Sequence, residues 1–305
     1  MAAVLAVVVA ALCFGTTGTA QALAGVDASP FAVGAARILI GGGMLGLIAL
    51  ATQKRANARA AAAPARLTRE TAILVAVGAV GVLAYQPAFF LGTRTNGVAI
   101  GTVVALGSAP VITGILDALI RRRRPTMGWA LATALAVIGV ALVGGLVGGG
   151  SAVAIDPLGL AASVGAGASY AAYALTSKAL LDCGWRSLDA MGALFGTAAV
   201  VSVPVLLIGG TDWLLTPAGL ALALWLGVVT TAIAYALFGW GLSRLTAPTV
   251  ATLTLAEPLT ATLLGIGVLG ERLTASAAAG LVVLASALVL VSLSSRPRKQ
   301  PEFSR

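Results

Sequence analysis

Glu257 is the one ionisable residue between Thr246 and Gly270, and Pro258 follows it directly. A carboxylate in so apolar a stretch can hold a proton, a cation, or the N–H and hydroxyl donors of a helix that proline has interrupted. Helical rise from Thr246 to Glu257 is about 16 Å, which sets the carboxylate near the middle of a bilayer. An ionised carboxylate facing lipid is costly, so Glu257 must face protein or a water-filled cavity. Two readings follow: a structural tether for groups that Pro258 frees, or a proton-coupling and substrate residue.

Other polar groups sit in similarly apolar surroundings. Thr254 lies one turn before Glu257 on the same helical face, and proline leaves a carbonyl near it without a helical donor. Arg37 lies about two turns into its own apolar segment. It either snorkels outward, pairs with a helix carbonyl, or pairs with Glu257. Thr17 and Gln21 share a helical face at i, i+4; Tyr85, Gln86 and Pro87 form a polar patch beside a kink; Tyr235 is the matching aromatic in the eighth span. Taken singly these residues read as interhelical hydrogen bonding, and taken together as the lining of one substrate cavity.

Several chemistries are absent. The chain has no histidine and only two cysteines, Cys13 and Cys183, without metal-ligand spacing. No metal centre, cofactor or disulfide is therefore expected. No Gly-x-x-x-x-Gly-Lys-Ser/Thr sequence occurs, so ATP has no loop to bind. No nucleophile–base constellation points to an enzyme.

The elements that position these residues are membrane spans. The 305 residues are 59% hydrophobic and 10% charged, against about 45–50% and about 25% in soluble domains. Ten apolar segments approach the ~20 residues that a crossing helix needs: 3–24, 30–51, 71–92, 97–119, 126–147, 157–180, 188–209, 216–240, 246–268 and 274–294. The first lacks the basic start of a signal peptide and reads as a retained span. The ten spans place 16 of the 19 basic residues, Arg121 to Arg124 among them, on one side of the membrane. Positive charge marks the cytoplasmic side, so both termini are expected there. The net charge of +9 thus reflects topology and lipid headgroups, not nucleic acid.

The chain also repeats itself. Residues 105–126 and 253–274 align without gaps, matching Pro110 with Pro258, Leu116 with Leu264 and Arg124 with Arg272. Five spans per half is odd, so the second half is inverted relative to the first. The expected architecture is all-α, ten transmembrane helices in two inverted five-helix repeats, residues 1–148 and 149–305. The glycine-rich stretch 144–157 is the joint between them. Inverted repeats with interrupted helices place a binding site near the midplane, with Pro110 and Pro258 as hinges.

"LAEPLTATLLGIGVLGERLT" with the apolar run after it resembles the last two spans of EamA-type carriers of the drug/metabolite transporter superfamily. Residues 13–43, with Arg37, resemble their first two spans. The resemblance implies an inner-membrane exporter of small metabolites or drugs, although Ala109 stands where the first repeat would match Glu257. The expectation is a secondary active exporter working by alternating access and coupled to protons through Glu257. An uncoupled facilitator or channel is the alternative, and a membrane-embedded enzyme is less favoured. The partners expected are a small molecule and the lipid bilayer, with the protein a monomer or homodimer.

Overall fold

Threonine, aspartate and proline start the helices. Side chains of Thr68, Thr126, Asp156, Thr216 and Thr246 each accept a backbone N–H of the first turn, satisfying donors that have no intrahelical partner. Pro157 and Pro217 occupy first positions, where the missing N–H is harmless. The computed structural model describes residues 1–58, 67–145 and 155–294.

Ten crossing segments result among the described residues: α1 (Ala2–Ala24), α2 (Pro30–Ala58), α3 (Arg69–Asn96), α4 (Val98–Arg121), α5 (Met127–Val143), α6 (Pro157–Asp182), α7 (Ser187–Gly209), α8 (Pro217–Leu242), α9 (Ala247–Leu269) and α10 (Ala275–Ser294). Nine have the length and hydropathy to cross a membrane, and α5, with 17 residues, is shorter. The sequence predicts its span to 147, but the Gly144–Gly145 pair ends it, with Gly145 at φ 73°. The repeat boundary at 148/149 and most of the proposed joint lie outside the described residues, as do Arg59, Arg66, Arg296, Arg298, Lys299 and Arg305.

Packing pairs the helices across the two repeats. Among the principal pairings, α2 lies along α7, α5 along α10, α6 against α3 and α4, and α1 against α8 and α9. Lipid supplies no hydrophobic drive for this association, so close approach of small residues must. A methyl group at Gly42 would strike the Phe195 carbonyl, and one at Gly46 would lie 3.3 Å from the Gly196 Cα. The Gly42-x-x-x-Gly46 face is thus a close-packing surface. Leu47, Val80, Leu119 and Ile208 stay exposed on the outside, as lipid-facing residues should.

Two helices depart from regular α geometry. α8 is π-helical from Trp225 to Ile233. α9 is interrupted between Leu253 and Ala256, one turn before Pro258. Pro258 has no N–H to offer the Thr254 carbonyl, which favours an interruption here without by itself requiring one. Its counterpart α4 is continuous through Pro110. The repeats match in sequence here but not in backbone shape.

Candidate functional site

Broken helix α9 carries the carboxylate at the start of its second half. Glu257 is in the first turn of Ala256–Leu269, where unpaired amide groups and the helix dipole favour an anion. The carbonyl expected to be left free near Thr254 is not free. Glu257 N–H donates to Thr254 O at 2.9 Å, a tighter turn that absorbs the group proline cannot serve. What Thr254 offers instead is its hydroxyl, 3.0 Å from the Tyr170 hydroxyl and bonded to Ala251 O at 2.9 Å.

A cavity of about 170 Å³ opens beside it, and every sequence-derived candidate outside the hinges lines it: Glu257, Arg37, Thr17, Tyr85, Gln86, Tyr235 and Thr254. These residues come from α1, α2, α3, α8 and α9, so only the tertiary fold unites them. Of the two prolines, neither lines the cavity, but Pro258 adjoins Glu257 and Pro110 adjoins the lining residue Ala109. Leu106, four residues before Pro110, also lines it. Its carbonyl is the one that Pro110 leaves without a helical donor.

Arg37 is half-buried and turned inward. Its Nε donates to Thr231 Oγ1 at 3.0 Å, and Thr231 in turn donates to Leu226 O, five residues back, at 2.9 Å. That i−5 bond exists because this part of α8 is π-helical, so the irregular backbone presents the threonine to the arginine. Of the alternatives open for Arg37, the pairing is with a threonine hydroxyl and not with a helix carbonyl or Glu257. No ion pair joins Arg37 and Glu257 among the described residues. The Glu257 carboxylate accepts no hydrogen bond from any described residue.

Tyr170 and Tyr173 on α6 were not among the sequence candidates, yet both line the cavity. A signal was present: the chain has four tyrosines, and Tyr85, Tyr170, Tyr173 and Tyr235 all face this one space. Tyr173 and Tyr235 hydroxyls lie 3.5 Å apart. The Tyr235 ring packs against Phe195 at 4.0 Å and Phe14 at 5.0 Å between centroids. Further along α6, Lys178 Nζ donates to Leu242 O, at the end of α8, at 3.1 Å. Three contacts from α6, through Tyr170, Tyr173 and Lys178, therefore join it to α8 and α9 toward the arginine-rich side. On the opposite side the lining reaches Gln21 and Thr102, each about one turn from its helix end.

Chemically the site offers a guanidinium and a carboxyl group that form no ion pair with each other among the described residues, hydroxyl and amide groups, and aromatic faces. Among the described residues no cluster of histidine, cysteine, aspartate or glutamate could hold a metal ion.

Comparison with known proteins gives an independent view. The profile of the EamA-like transporter family matches residues 1–145 and again 157–293. The transporter YwfM of Bacillus subtilis is 40% identical over 299 residues, covering 98% of this chain and 96% of its own. The threonine/homoserine exporter RhtA of Salmonella typhimurium is 34% identical over 226 residues, covering 71% and 69%. A solved crystal structure superposes with a TM-score of 0.76 at 20% identity, over 96% of this chain and 97% of the other, and shares the fold.

Proposed function

The chain belongs to the EamA-like transporter family, and we propose that it exports a small zwitterionic metabolite of the amino-acid class in exchange for protons. It is a polytopic membrane transporter and not an enzyme. The finer reading rests on one observation: Arg37 and Glu257 line the same cavity without pairing. A zwitterion completes such a site, its carboxylate on the guanidinium and its ammonium on the carboxylate, both as charge-assisted hydrogen bonds. The cavity of about 170 Å³ is more than ten times the ~10–15 Å³ that one water needs, which suits a small polar solute. RhtA, named for two amino acids of that size and polarity, points the same way.

Coupling follows from competition at one carboxylate. Glu257 holds either a proton or the ammonium, so release of substrate on one side prepares uptake of a proton there. Carried back across, the proton leaves and substrate replaces it. Access must alternate for this to work. The bonds from Tyr170, Tyr173 and Lys178 part when the arginine-rich side opens, and the interruption at Thr254–Leu255 lets the two halves of α9 move separately. The arginine-rich side is taken as cytoplasmic, with both termini there and the protein in a bacterial inner membrane.

The test is a comparison of amino acids in culture medium. Cells expressing the wild-type chain should accumulate one or a few small amino acids outside, and cells expressing inserted Arg37→Gln should not. Identical amino-acid profiles in both cultures would count against the reading.

A further inference from the structure

A second cavity, of about 530 Å³, lies at the arginine-rich end. The α4–α5 turn, the end of α6 and the α8–α9 turn enclose it. Five basic side chains line it, Arg121, Arg123, Arg124, Lys178 and Arg244, against two carboxylates, Asp117 and Asp182. Both carboxylates are already engaged. Arg121 Nε bonds Asp117 at 2.8 Å and its Nη2 bonds Asp182 at 2.5 Å, while Lys178 reaches Asp182 at 3.4 Å.

Three guanidiniums remain without an acidic partner among the described residues: Arg123, Arg124 and Arg244. Arg244 is held in place, stacked 3.9 Å over the Trp240 ring and bonded to Trp240 O at 3.0 Å and Ser243 Oγ at 2.9 Å. Arg122 adopts a left-handed conformation, φ 50°, and the chain reverses there. As a result Arg121, Arg123 and Arg124 line the cavity and Arg122 does not. This space is separate from the transport cavity. Trp129, on its wall, donates to Thr252 Oγ1 at 3.1 Å, and Thr133 bonds the same hydroxyl at 2.8 Å, so buried polar packing stands between the two.

We propose that this second cavity binds a phosphate group, supplied by the headgroup of an anionic phospholipid or by soluble phosphate. Guanidinium forks match phosphate oxygens two at a time, and three of them converge here with no acid left to neutralise them. The arginines directly follow the last turn of α4, at the level where lipid headgroups lie, and basic pockets between spanning helices are suited to such headgroups. A phosphate there bridges the α4–α5 turn and the α8–α9 turn, so its binding senses their separation.

Binding is measured on the detergent-solubilised full chain and so depends neither on topology nor on transport. Thermal melting and native mass spectrometry are run with phosphatidylglycerol, with phosphatidylcholine and with inorganic phosphate. Phosphatidylglycerol should raise the melting temperature and form a retained adduct, and phosphatidylcholine should not. If inorganic phosphate reproduces the shift, the source is soluble phosphate and the site stands. The Arg123→Gln/Arg124→Gln pair should weaken binding about thirtyfold, and Arg244→Gln should weaken it separately if the pair does not fold. Arg69→Gln, outside the cavity, should leave binding unchanged. Equal shifts with both lipids, no shift with either anion, or wild-type binding in both the pair and Arg244→Gln would overturn the proposal.

Discussion

Arg37 and Glu257 share one cavity in the middle of the protein and do not form an ion pair. Arg37 is anchored instead to Thr231 at 3.0 Å. The π-helical stretch of α8 carries Thr231, and Glu257 stands in the first turn of the second half of the interrupted α9.

The first prediction concerns that anchor. Arg37→Gln should insert and fold but lower export at least tenfold, because a charged hydrogen bond to substrate contributes about 1.5–3 kcal/mol. Arg37→Lys should not rescue it, since an ammonium cannot reproduce the fork that also reaches Thr231. Thr231→Val removes a hydrogen bond to the charged guanidinium, contributing about 1.5–3 kcal/mol, and should raise KM about tenfold or more with little change in kcat. Uptake and export assays in proteoliposomes measure all three.

The two prolines should now behave differently. Pro258→Ala returns a donor for the Thr254 carbonyl and favours a continuous α9, which should slow turnover while leaving substrate binding intact. Pro110→Ala changes a helix that is already continuous and should have the smaller effect. Equal slowing by both would show that the interruption of α9 has no special part in transport.

Two glycines on α1 should respond in opposite directions. A Cβ at Gly15 would lie 2.5 Å from Thr260 Cβ and 2.8 Å from Glu257 O. Overpacking of this kind costs about 1–3 kcal/mol, so Gly15→Ala should lower the melting temperature and disturb Glu257. Gly18 has nothing within 4 Å, and Gly18→Ala should be neutral or stabilise by up to about 1 kcal/mol through helix propensity. Thermal melting of the two variants decides the matter.

Topology can be tested with a native residue. Cys183 is exposed in the turn between α6 and α7. In a Cys13→Ser background it should resist an impermeant thiol reagent in intact cells and react after permeabilisation. With Cys183 also replaced by serine, Asp212→Cys, exposed at the start of the short 3-10 helix Asp212–Leu215 between α7 and α8, should react in intact cells. The reverse pattern would invert the protein in the membrane and with it the direction of every proposed step.

Much of this was legible in the sequence because lipid enforces simple rules. An apolar run of spanning length must be a helix, so α1 to α10 fall close to the ten predicted segments. An ionisable or amide group inside such a run must find protein or water, and Glu257, Arg37 and Gln86 all meet in one cavity. Tyr170 and Tyr173 were harder to see, since a tyrosine in a span serves equally well as packing or as lining, and α6 carries no charge near them to single them out. The π-helical stretch leaves no local mark either, for Trp225 to Ile233, which packs against α2, reads as ordinary apolar helix. The state of the Thr254 carbonyl is not legible either, because the sequence identifies the donor that Pro258 removes but not the neighbouring Glu257 N–H that takes its place.

Glu257→Gln separates a glutamate that carries the exchanged proton from one that only tethers the helix. The variant keeps the size of the side chain, removes its titration, and leaves the Glu257 N–H to Thr254 O bond of the backbone in place. Wild-type and variant proteins are reconstituted in parallel and export is driven by an imposed proton gradient. The variant should insert and melt like the wild type but show no gradient-driven export. Gradient-driven export at the wild-type rate from a folded Glu257→Gln protein would contradict it, leaving the glutamate as a tether within an uncoupled facilitator.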